Sequence, residues 1–455
     1  MNTQYHERNI SMVMDMYELT MSNGYLNQGF KDTWVAFDVF YRNNPDNGGF
    51  AIFAGLQQVV EYIENLHFSE EDVEYLRSKR LFTEEFLEYL LHFRFRGDIY
   101  AMKEGTVMYP NEPVITVVAP LIDAQLIETT ILLEINHQSL IATKTNRIVQ
   151  AANGKPVSDF GARRAHNVDA AVYGARAAYI GGAAGTATVL AGKMFHIPIS
   201  GTMAHSWVMT FDSEYDAFKA YAESYPDGTV LLVDTYDVLK SGVPNAIRTA
   251  REVLEPMGKK LIGIRLDSGD LAYLSKEARK MLDEAGLSDC MIVASNSLDE
   301  YTISSLNRQG AKIDSYGVGE RLITSSSTPV FGAVYKLVAI QKDGKFIPKI
   351  KISETAEKIT NPGIKEVYRV YDENGKAVAD YLAVKGEQIR DLEPVRYVDP
   401  VNYWKNRSFV GCRFKKLQVP VFEKGKRIYD LPDIEEIRQY VKDQLENEIW
   451  EEEQR

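Results

Sequence analysis

The chain is poor in cysteine and histidine, and this shortage limits the kinds of site that it can carry. Its 455 residues include two cysteines, Cys290 and Cys412, and seven histidines. Two thiols cannot cross-link a chain of this length, which favours a reducing compartment. No Cys-x-x-Cys pair is present to bind zinc. We therefore expect a cytoplasmic protein with no metal held at a fixed protein site.

Long apolar runs and an excess of positive charge are also missing. No apolar run approaches the roughly 20 residues that are needed to cross a bilayer, and the N-terminal stretch MNTQYHERNISMVMDMYELTM lacks the pattern of a signal peptide. The formal net charge is -12. Because binding to nucleic-acid phosphates requires a basic surface, neither a membrane nor a nucleic acid is expected as the main partner.

The composition is that of a soluble globular protein, with 45% hydrophobic and 25% charged residues. A chain of this length is expected to form more than one packed unit. The patterns divide the chain into an N-terminal α/β domain over residues 1–120, an α/β barrel over residues 121–340, and a C-terminal segment, residues 341–455. The closing helix of that segment is expected to pack beside the N-terminal domain or to cover the barrel. A long helix is expected at residues 121–152 because leucine and isoleucine recur there at helical spacing.

The middle of the chain, from about residue 158 to residue 338, alternates strand-like and helical segments. Four short apolar runs each end in Asp, Asn or Gly: TVLLVDT, KLIGIRLDSGD, CMIVASNSLD and KIDSYGVGERLI. The continuous apolar cores of these runs are typical of buried parallel strands. Since polar residues recur at the carboxyl end of every strand, a barrel is favoured over an open sheet, with its active site at that face.

Three of these strand ends carry candidate binding residues. The planar guanidinium of Arg265 could donate two hydrogen bonds to a phosphate or carboxylate. Asp267 could accept hydrogen bonds from diol hydroxyls or from a Mg²⁺-bound water. The stretch ASNSLDE contains Ser295 and Asn296 at the end of the next strand. The G-x-G of SYGVGERL, Gly317 and Gly319, would let the backbone approach a phosphate. Alternatively, Arg265 and Asp267 could form an ion pair that caps a helix, and the G-x-G could be a plain strand-to-helix turn.

Two further stretches contain an aromatic ring, cations and a histidine. DFGARRAH places Phe160 beside Arg163 and Arg164, which suits a flat anionic heterocycle. GTMAHSW surrounds His205 with small residues, so that a reagent could reach the imidazole as a nucleophile or an acid–base group. The alternative is that Phe160 belongs to a core, the arginines form surface pairs and the histidine is structural.

Taken together, these stretches identify a known family by their order and spacing. The stretches concerned are DMYELTMSNGY, EGTVMYPNEPVITVVAP, LIETTILLEINHQSLIATKTNRI, DFGARRAH, SGTMAHSW, GIRLDSGDL, ASNSLDE, YGVGERL and FGAVYKL. Over essentially its whole length the chain resembles the nicotinate phosphoribosyltransferases. The resemblance implies an irregular α/β barrel, a second α/β domain built from both chain ends, and a homodimer with shared active sites.

The resemblance also implies a reaction and its cofactors. Nicotinate and 5-phosphoribosyl-1-pyrophosphate would give nicotinate mononucleotide and pyrophosphate, the first step of NAD salvage from nicotinate. Mg²⁺ would assist this transfer. ATP hydrolysis would drive it through a phosphorylated histidine, giving ADP and phosphate.

Matching the motifs residue by residue implies the roles of individual side chains. His205 corresponds to the phosphorylated histidine, and Tyr17 to an aromatic residue that the partner subunit contributes. The remaining residues would bind substrate: Phe160 and Arg163 the pyridine ring and its charge, Arg265 and Asp267 the ribose and pyrophosphate, and Gly317 and Gly319 the 5′-phosphate.

Several alternatives remain open at this stage. Relatives that use nicotinamide carry an Asp near the ring, whereas the matching stretch GGAAGTATVLAG has no acidic residue, which favours nicotinate. Quinolinate has two carboxylates and would call for a denser cluster of cations than DFGARR offers. A sensor that keeps the barrel would not need the histidine. An unrelated barrel enzyme such as an aldolase would need a strand-end lysine, and these strand ends have none.

Overall fold

The computed structural model of the chain describes residues 8–352, 360–399 and 402–450. The chain divides into two compact units: Met1–Leu140 together with Val330–Arg455 forms the first unit, and Ile141–Pro329 forms the second. These boundaries differ from the predicted ones at 120/121 and 340/341. Residues from Leu121 to Leu140 contribute to the first unit's core, and the strand that contains residue 340 pairs within the first unit's main sheet.

The first unit is built around an antiparallel sheet. Its strands are β1 (Trp34–Phe40), β2 (Ala51–Ile52), β3 (Asp98–Met102), β4 (Val107–Met108), β5 (Ile115–Pro120), β12 (Val334–Lys342), β13 (Lys345–Pro348), β14 (Lys365–Tyr371), β15 (Ala377–Val384), β16 (Val395–Val398), β17 (Asn406–Phe409), β18 (Arg413–Lys416), β19 (Gln418–Glu423) and β20 (Lys426–Arg427). Seven of them form the main sheet in the order β13-β12-β1-β5-β3-β19-β20, and β15-β14-β18, β16-β17 and β2-β4 form smaller sheets. The main sheet thus joins strands from both ends of the chain.

Helices cover the apolar residues of this sheet. They are α1 (Met16–Asn27), α2 (Leu56–Asn65), α3 (Glu70–Ser78), α4 (Glu84–Leu91), α5 (Leu121–Gln125), α15 (Ile434–Asp443) and the first part of α6 (Glu128–Ala151), with a 3₁₀ turn at Pro45–Asn47 and a π-helical end at Gln444–Glu448. Val35 and Val39 of β1 are fully buried. Asp372–Gly375 forms the hairpin turn between β14 and β15.

Two features of the first unit differ from the sequence-based expectation. Helix α3 was not predicted, although Ser69 and Asp72 form the capping box that starts it. The single helix predicted over residues 121–152 is two helices, α5 and α6. Leu126 and Ile127 lie at the break, and both are fully buried in the core. The spacing of apolar residues does not reveal this interruption, because the two residues at the break are apolar and buried like those of the helices on either side.

The second unit contains a parallel sheet, as the sequence predicts, and the sheet has six strands. They are β6 (Val157–Asp159), β7 (Gly185–Thr186), β8 (Val230–Leu232), β9 (Gly263–Leu266), β10 (Met291–Ser295) and β11 (Ser315–Val318), and they lie in the order β7-β6-β11-β10-β9-β8. An isolated parallel bridge joins Thr186 to Ile199. The strands therefore follow one another in cyclic order, but among the described residues no ladder joins the Ile199 segment to β8. The predicted α/β class and parallel sheet are confirmed.

The helices of the second unit follow the strands and complete its core. They are α7 (Val168–Ile180), α8 (Val189–Phe195), α9 (His205–Thr210), α10 (Glu214–Ser224), α11 (Val243–Thr249), α12 (Leu271–Glu284), α13 (Glu300–Arg308), α14 (Glu320–Ile323) and the second part of α6, with short 3₁₀ or π segments at Ala162–Arg164, Val238–Gly242, Ala250–Leu254 and Glu255–Met257. Leu231, Ile264 and Ile292 of neighbouring strands are fully buried. None of the helices in the described ranges is long and apolar enough to cross a membrane.

Candidate active site

The carboxyl ends of the parallel strands bring the predicted polar residues to one edge of the second unit. Leu232 of β8 pairs with Arg265 of β9, and Ser295 of β10 pairs with Gly317 of β11. Val318 then pairs with Asp159 at the end of β6. Because parallel strands in register end at the same edge, side chains far apart in the sequence converge there, as the barrel reading expects.

His205 lies at this edge, at the start of helix α9. Its Nδ1 is 3.1 Å from the hydroxyl oxygen of Thr235. Its Nε2 lies 3.8 Å from a carboxylate oxygen of Asp267 and 3.9 Å from one of Asp234. The His205 side chain is 39% exposed, so a reagent can reach the ring. The imidazole is thus oriented by a hydroxyl group on one side and faces two carboxylates on the other.

Asp234 is a member of this cluster that the sequence analysis did not select. Its Oδ2 accepts hydrogen bonds from the backbone N–H of Asp267 at 2.9 Å and from the hydroxyl of Ser268 at 2.6 Å. Its Oδ1 is buried and has no hydrogen-bond partner among the described residues. The signal was present, because the VDT that follows β8 matches the LDS that follows β9.

Asp267 is held by one hydrogen bond through its backbone and one through its side chain. Its backbone N–H donates to Asp234, and its Oδ1 accepts a hydrogen bond from the Ser295 hydroxyl. Ser295 is almost fully buried, whereas the Asp267 side chain is 35% exposed. The second oxygen of Asp267 faces His205 and solvent. Three strand ends, those of β8, β9 and β10, therefore hold one carboxylate toward the open face.

Arg265 is half-buried beside the two carboxylates. Its Nη2 donates to the carbonyl oxygen of Met203 at 3.0 Å, and its Nε is buried without a hydrogen-bond partner among the described residues. Burial lowers the pKa of the guanidinium, and the positive charge of Arg163 acts in the same direction, while Asp267 and Asp234 oppose it. Arg265 stays charged. The structure shows no Arg265–Asp267 hydrogen bond, so the guanidinium keeps donors for a ligand.

Phe160 and Gly317 pack directly against each other. A Cβ atom at Gly317 would overlap the ring carbons of Phe160, so that only glycine fits beneath the ring. The N–H of Phe160 donates to the carbonyl of Val318 at 2.8 Å. Gly319 begins helix α14, and its neighbour across the turn is the Phe160 backbone. The predicted ring site and the predicted phosphate turn are therefore adjacent. Packing against Phe160 requires glycine at position 317, which the sequence did not indicate.

The two arginines of DFGARRAH have different surroundings. Arg164 forms an exposed pair with Glu320, with 3.6 Å between Nε and the carboxylate. Arg163 is exposed and close enough to Arg265 to affect its pKa. The alternative that the arginines form surface ion pairs thus holds for Arg164. Arg163 instead lies with the candidate site residues.

Asp159, which precedes the Phe160 ring, stabilises the loop from within. Its carboxylate accepts hydrogen bonds from the Thr186 hydroxyl and the Gly161 N–H, both at 2.8 Å. Burial raises the pKa of this carboxyl, and the two hydrogen bonds oppose that rise. The Asp159 carbonyl accepts from the N–H of Ala187 at 2.8 Å. The stretch that contains no acidic residue, residues 181–192, therefore runs beside the loop that carries Phe160.

Two of the predicted site residues lie outside this cluster of contacts. Asn296 is exposed and has a positive φ of 83°, and its side-chain oxygen accepts a hydrogen bond from the Ser297 hydroxyl. Tyr17 belongs to α1 of the first unit, where burial and the nearby Glu128 carboxylate raise the pKa of its hydroxyl and its surface is 42% exposed. The role of Tyr17 in a partner's site stays a prediction.

Among the described residues no group of three or more His, Cys, Asp or Glu side chains has the geometry of a metal site. Asp267 nevertheless presents a carboxylate oxygen toward the open edge, and the buried Oδ1 of Asp234 has no hydrogen-bond partner among the described residues. Mg²⁺ is commonly bound through one or two carboxylates together with substrate phosphates, and it keeps several of its waters. The residues present fit a Mg²⁺ ion that arrives with a phosphate ligand.

Comparisons with family models cover most of the chain. The nicotinate phosphoribosyltransferase (NAPRTase) N-terminal domain matches residues 12–136, the NAPRTase family model matches residues 156–375, and the nicotinate phosphoribosyltransferase C-terminal domain matches residues 364–455. The matches follow the order of the motifs along the chain.

Individual relatives agree with these matches. A nicotinate phosphoribosyltransferase of Bacillus subtilis is 48% identical over 98% of this chain and 91% of its own length, and one of Mycobacterium tuberculosis is 41% identical over 96% and 87%. Among solved structures, human nicotinic acid phosphoribosyltransferase superposes with a TM-score of 0.87 at 27% identity over 97% of this chain and 95% of its own. Nicotinate-nucleotide pyrophosphorylase from Pyrococcus furiosus has a TM-score of 0.73 at 26% identity over 98% and 97%. The chain belongs to the nicotinate phosphoribosyltransferase family.

Proposed function

We propose that this protein transfers the phosphoribosyl group of 5-phosphoribosyl-1-pyrophosphate to nicotinate, with hydrolysis of ATP. The products are nicotinate mononucleotide, pyrophosphate, ADP and phosphate, and the reaction is the first step of NAD salvage from nicotinate. The observation that carries the proposal is His205, which faces Asp234 and Asp267 beside Arg265 at the strand ends. The named activity of relatives up to 48% identical supports the same reaction.

The transfer step requires stabilisation of a departing anion. When pyrophosphate leaves the ribose, positive charge develops on the ribose carbon and negative charge on the leaving group. Arg265, whose Nε has no hydrogen-bond partner in the described part of the chain, donates to that anion. Asp267, whose side chain is 35% exposed, accepts hydrogen bonds from the ribose hydroxyls. A bound Mg²⁺ would further neutralise the pyrophosphate, and Asp234 and Asp267 are the residues that would hold it.

In this proposal a ring nitrogen of His205 forms a bond to the γ-phosphorus of ATP as the bond to ADP breaks, and water later hydrolyses the phosphohistidine to histidine and phosphate. An imidazole nucleophile needs a fixed orientation and a group that accepts its proton. Thr235 engages Nδ1, and Nε2 faces the two carboxylates at 3.8 and 3.9 Å. Hydrogen bonds of this kind commonly shorten when substrate binds. Both requirements are therefore met by residues that surround the ring.

Phe160 and Arg163 bind nicotinate in this proposal. The ring of Phe160 stands on Gly317 and is partly exposed, and Arg163 supplies a cation at the same loop. Residues 181–192 contain no carboxylate that would repel the nicotinate carboxylate, and this stretch contacts the loop through Ala187. The arrangement favours an anionic ring over a neutral one.

The assay that tests the proposal uses purified protein with 5-phosphoribosyl-1-pyrophosphate and Mg²⁺. Nicotinate, nicotinamide and quinolinate are supplied in parallel reactions, each with and without ATP, and the mononucleotide products are measured. We expect turnover of nicotinate and stimulation of that turnover by ATP. Turnover of nicotinamide or quinolinate alone would contradict the substrate assignment, and no turnover of any of the three would contradict the reaction.

We propose in addition that the protein is a homodimer in which Tyr17 completes the partner's ring site. Tyr17 is 42% exposed on α1, and Met16 and Met21 of the same helix are exposed as well. Mixing Tyr17→Ala and His205→Ala proteins tests the sharing of sites. If the sites are shared, the mixed dimers contain one intact site and recover activity. If each chain forms its own site, the mixture stays inactive.

A further inference from the structure

Two strained turns flank the part of the site that the proposed function assigns to the ribose phosphate. One follows β10, where Asn296 and Ser297 have positive φ values of 83° and 50°. The other follows β11, where helix α14 leads into a loop with Ser325 at a φ of 43°. Non-glycine residues persist in this region only where the surrounding structure holds them. Something must therefore hold both turns.

Asp299 joins the first turn to helix α14. Its Oδ1 accepts a hydrogen bond at 2.7 Å from the N–H of Thr302 and so caps α13, while its Oδ2 accepts one from Arg321 of α14. Although burial acts to raise it, the hydrogen bonds from Thr302 and Arg321 hold the pKa of Asp299 below its usual range. The guanidinium of Arg321 is thus bound to protein and joins the two turns.

Glu300, the next residue, makes a second and deeper connection. Lys144 of helix α6 donates to Glu300 at 2.7 Å and to the hydroxyl of Ser327, in the loop after α14, at 2.7 Å. The side chains of Lys144 and Glu300 are 1% and 11% exposed. One ammonium group therefore contacts the start of α13 and the loop after α14 together.

We infer that the pair Asp299–Glu300, with Arg321, Lys144 and Ser327, forms a clamp that holds both turns in the conformation that binds the phosphate of 5-phosphoribosyl-1-pyrophosphate. This inference rests on the proposed function. Lys144 is a positioning residue, because its ammonium group is enclosed by Glu300 and Ser327. The clamp explains why two adjacent acidic residues stand beside a site for an anion: their charges are taken up by Arg321 and Lys144.

The clamp has a specific kinetic consequence. Without it the turns populate other conformations, and the apparent affinity for the phosphoribosyl substrate falls by the fraction of molecules that remain competent. Nicotinate, which binds at Phe160 on the neighbouring loop, is affected less. A loss of the clamp thus separates the two Michaelis constants.

The test compares Lys144→Met with wild type and with the control Lys155→Met. Lys155 donates to Asn307 near the far end of α13, at 3.2 Å, so the control removes a lysine that contacts the same helix. If the competent fraction falls to about one tenth, the KM for 5-phosphoribosyl-1-pyrophosphate rises about tenfold while that for nicotinate changes by less than about twofold. Lys155→Met should behave as wild type. An unchanged KM in Lys144→Met, or an equal rise in both constants, overturns the inference.

A double variant, Lys144→Met with Glu300→Gln, covers the case in which the single variant does not fold. It leaves no unpaired buried charge, so it tests the missing connection alone. The same rise in KM is expected. Recovery of the wild-type KM would show that buried charge was responsible, and would overturn the clamp. Wild-type protein that lacks the activity would instead contradict the proposed function, since the clamp test requires an active wild type.

Discussion

The Lys365–Asp38 pair of the first unit and the His205 cluster of the second unit differ in the distances between their ionisable groups. In the first unit Lys365 and Asp38 are 2.8 Å apart, with side chains 8% and 2% exposed. In the second unit His205 lies 3.8 Å from Asp267 and 3.9 Å from Asp234. Opposite charges at hydrogen-bonding distance satisfy each other, whereas groups just beyond that distance retain capacity for a ligand.

The comparison separates charges that stabilise the fold from charges that serve the site. Arg369 and Asp380 of the first unit form a fully buried pair at 2.7 Å and belong to the first kind. Arg265 belongs to the second kind, because it is half-buried, donates to a carbonyl group and keeps an unpartnered Nε. Burial alone does not distinguish the two kinds, but the completeness of the pairing does. Substitutions of the two kinds of charge should therefore affect different measurements.

The largest effect is expected for His205→Ala. The variant should take up no label from γ-labelled ATP and lose the stimulation of nicotinate turnover by ATP, because the proposed phosphoryl acceptor is gone. His92→Ala, which removes an exposed histidine of the first unit paired with Glu88, is the matched control and should take up label as wild type does. Label on the His205→Ala protein would refute the assignment.

Lys365→Met should lower stability and leave activity intact. It leaves the Asp38 carboxylate buried without its cation, which we expect to lower the free energy of unfolding by about 3–5 kcal/mol. Urea unfolding measures the loss, with Lys345→Met on the exposed strand β13 as the control. The turnover number per folded molecule should not change. A Lys365→Met protein as stable as wild type, or one that folds but has a lower turnover number, would contradict the assignment of Lys365 and Asp38 to the charges that stabilise the fold.

Asp234→Asn should show the opposite pattern. An amide oxygen can still accept the hydrogen bonds from Asp267 and Ser268, so the fold should persist while the charge near His205 is lost. We expect kcat to fall roughly 10²-fold, as for other preorganised electrostatic groups. Asp289→Asn removes an exposed carboxylate of the same unit, which pairs with Lys260, and should have no effect. A large fall in stability with normal kcat would assign Asp234 to the structural kind.

The smallest effect concerns Glu18, which is an incompletely paired carboxyl in the first unit. Its Oε2 is buried without a hydrogen-bond partner among the described residues, and burial raises the pKa of Glu18 to about 7. The folded state then binds a proton more tightly than the unfolded state, so stability falls as the pH rises from 4.5 to about 7. Glu18→Gln should remove this fall and stabilise the protein more at pH 8 than at pH 5. Equal changes at both values, measured by urea unfolding, would contradict the shift.

Much of the second unit could be predicted because its signals are local. The apolar runs VLLV, LIGI and MIVA became β8, β9 and β10, and the Asp, Ser and Gly residues that follow them stand at one edge. Parallel strands are buried on both faces, so their sequences are continuously apolar and easy to recognise. The family resemblance then located His205 among many candidate polar residues.

Asp234 and the break between α5 and α6 could not be predicted with the same ease. Asp234 was hidden because one strand-end Asp resembles another until the backbone N–H of Asp267 is seen to donate to it. The break at Leu126–Ile127 is invisible to helical periodicity because both residues are buried. For Asp234 the deciding contact joins residues that are far apart in the sequence. For the helix break, the deciding feature is burial that the residue pattern does not distinguish from helix.

By itself the sequence determined the α/β class, the alternation of strands and helices from about residue 229 to residue 323, and the set of motifs that identifies the family. These features depend on the spacing of apolar residues and on short, ordered runs of residue types. Tertiary structure alone decided the pairing of Asp234 with Asp267, the packing of Phe160 on Gly317, and the binding of Lys144 to Glu300. The reason is physical: such contacts depend on distances of a few ångströms between distant segments, which only the packed strands and helices set.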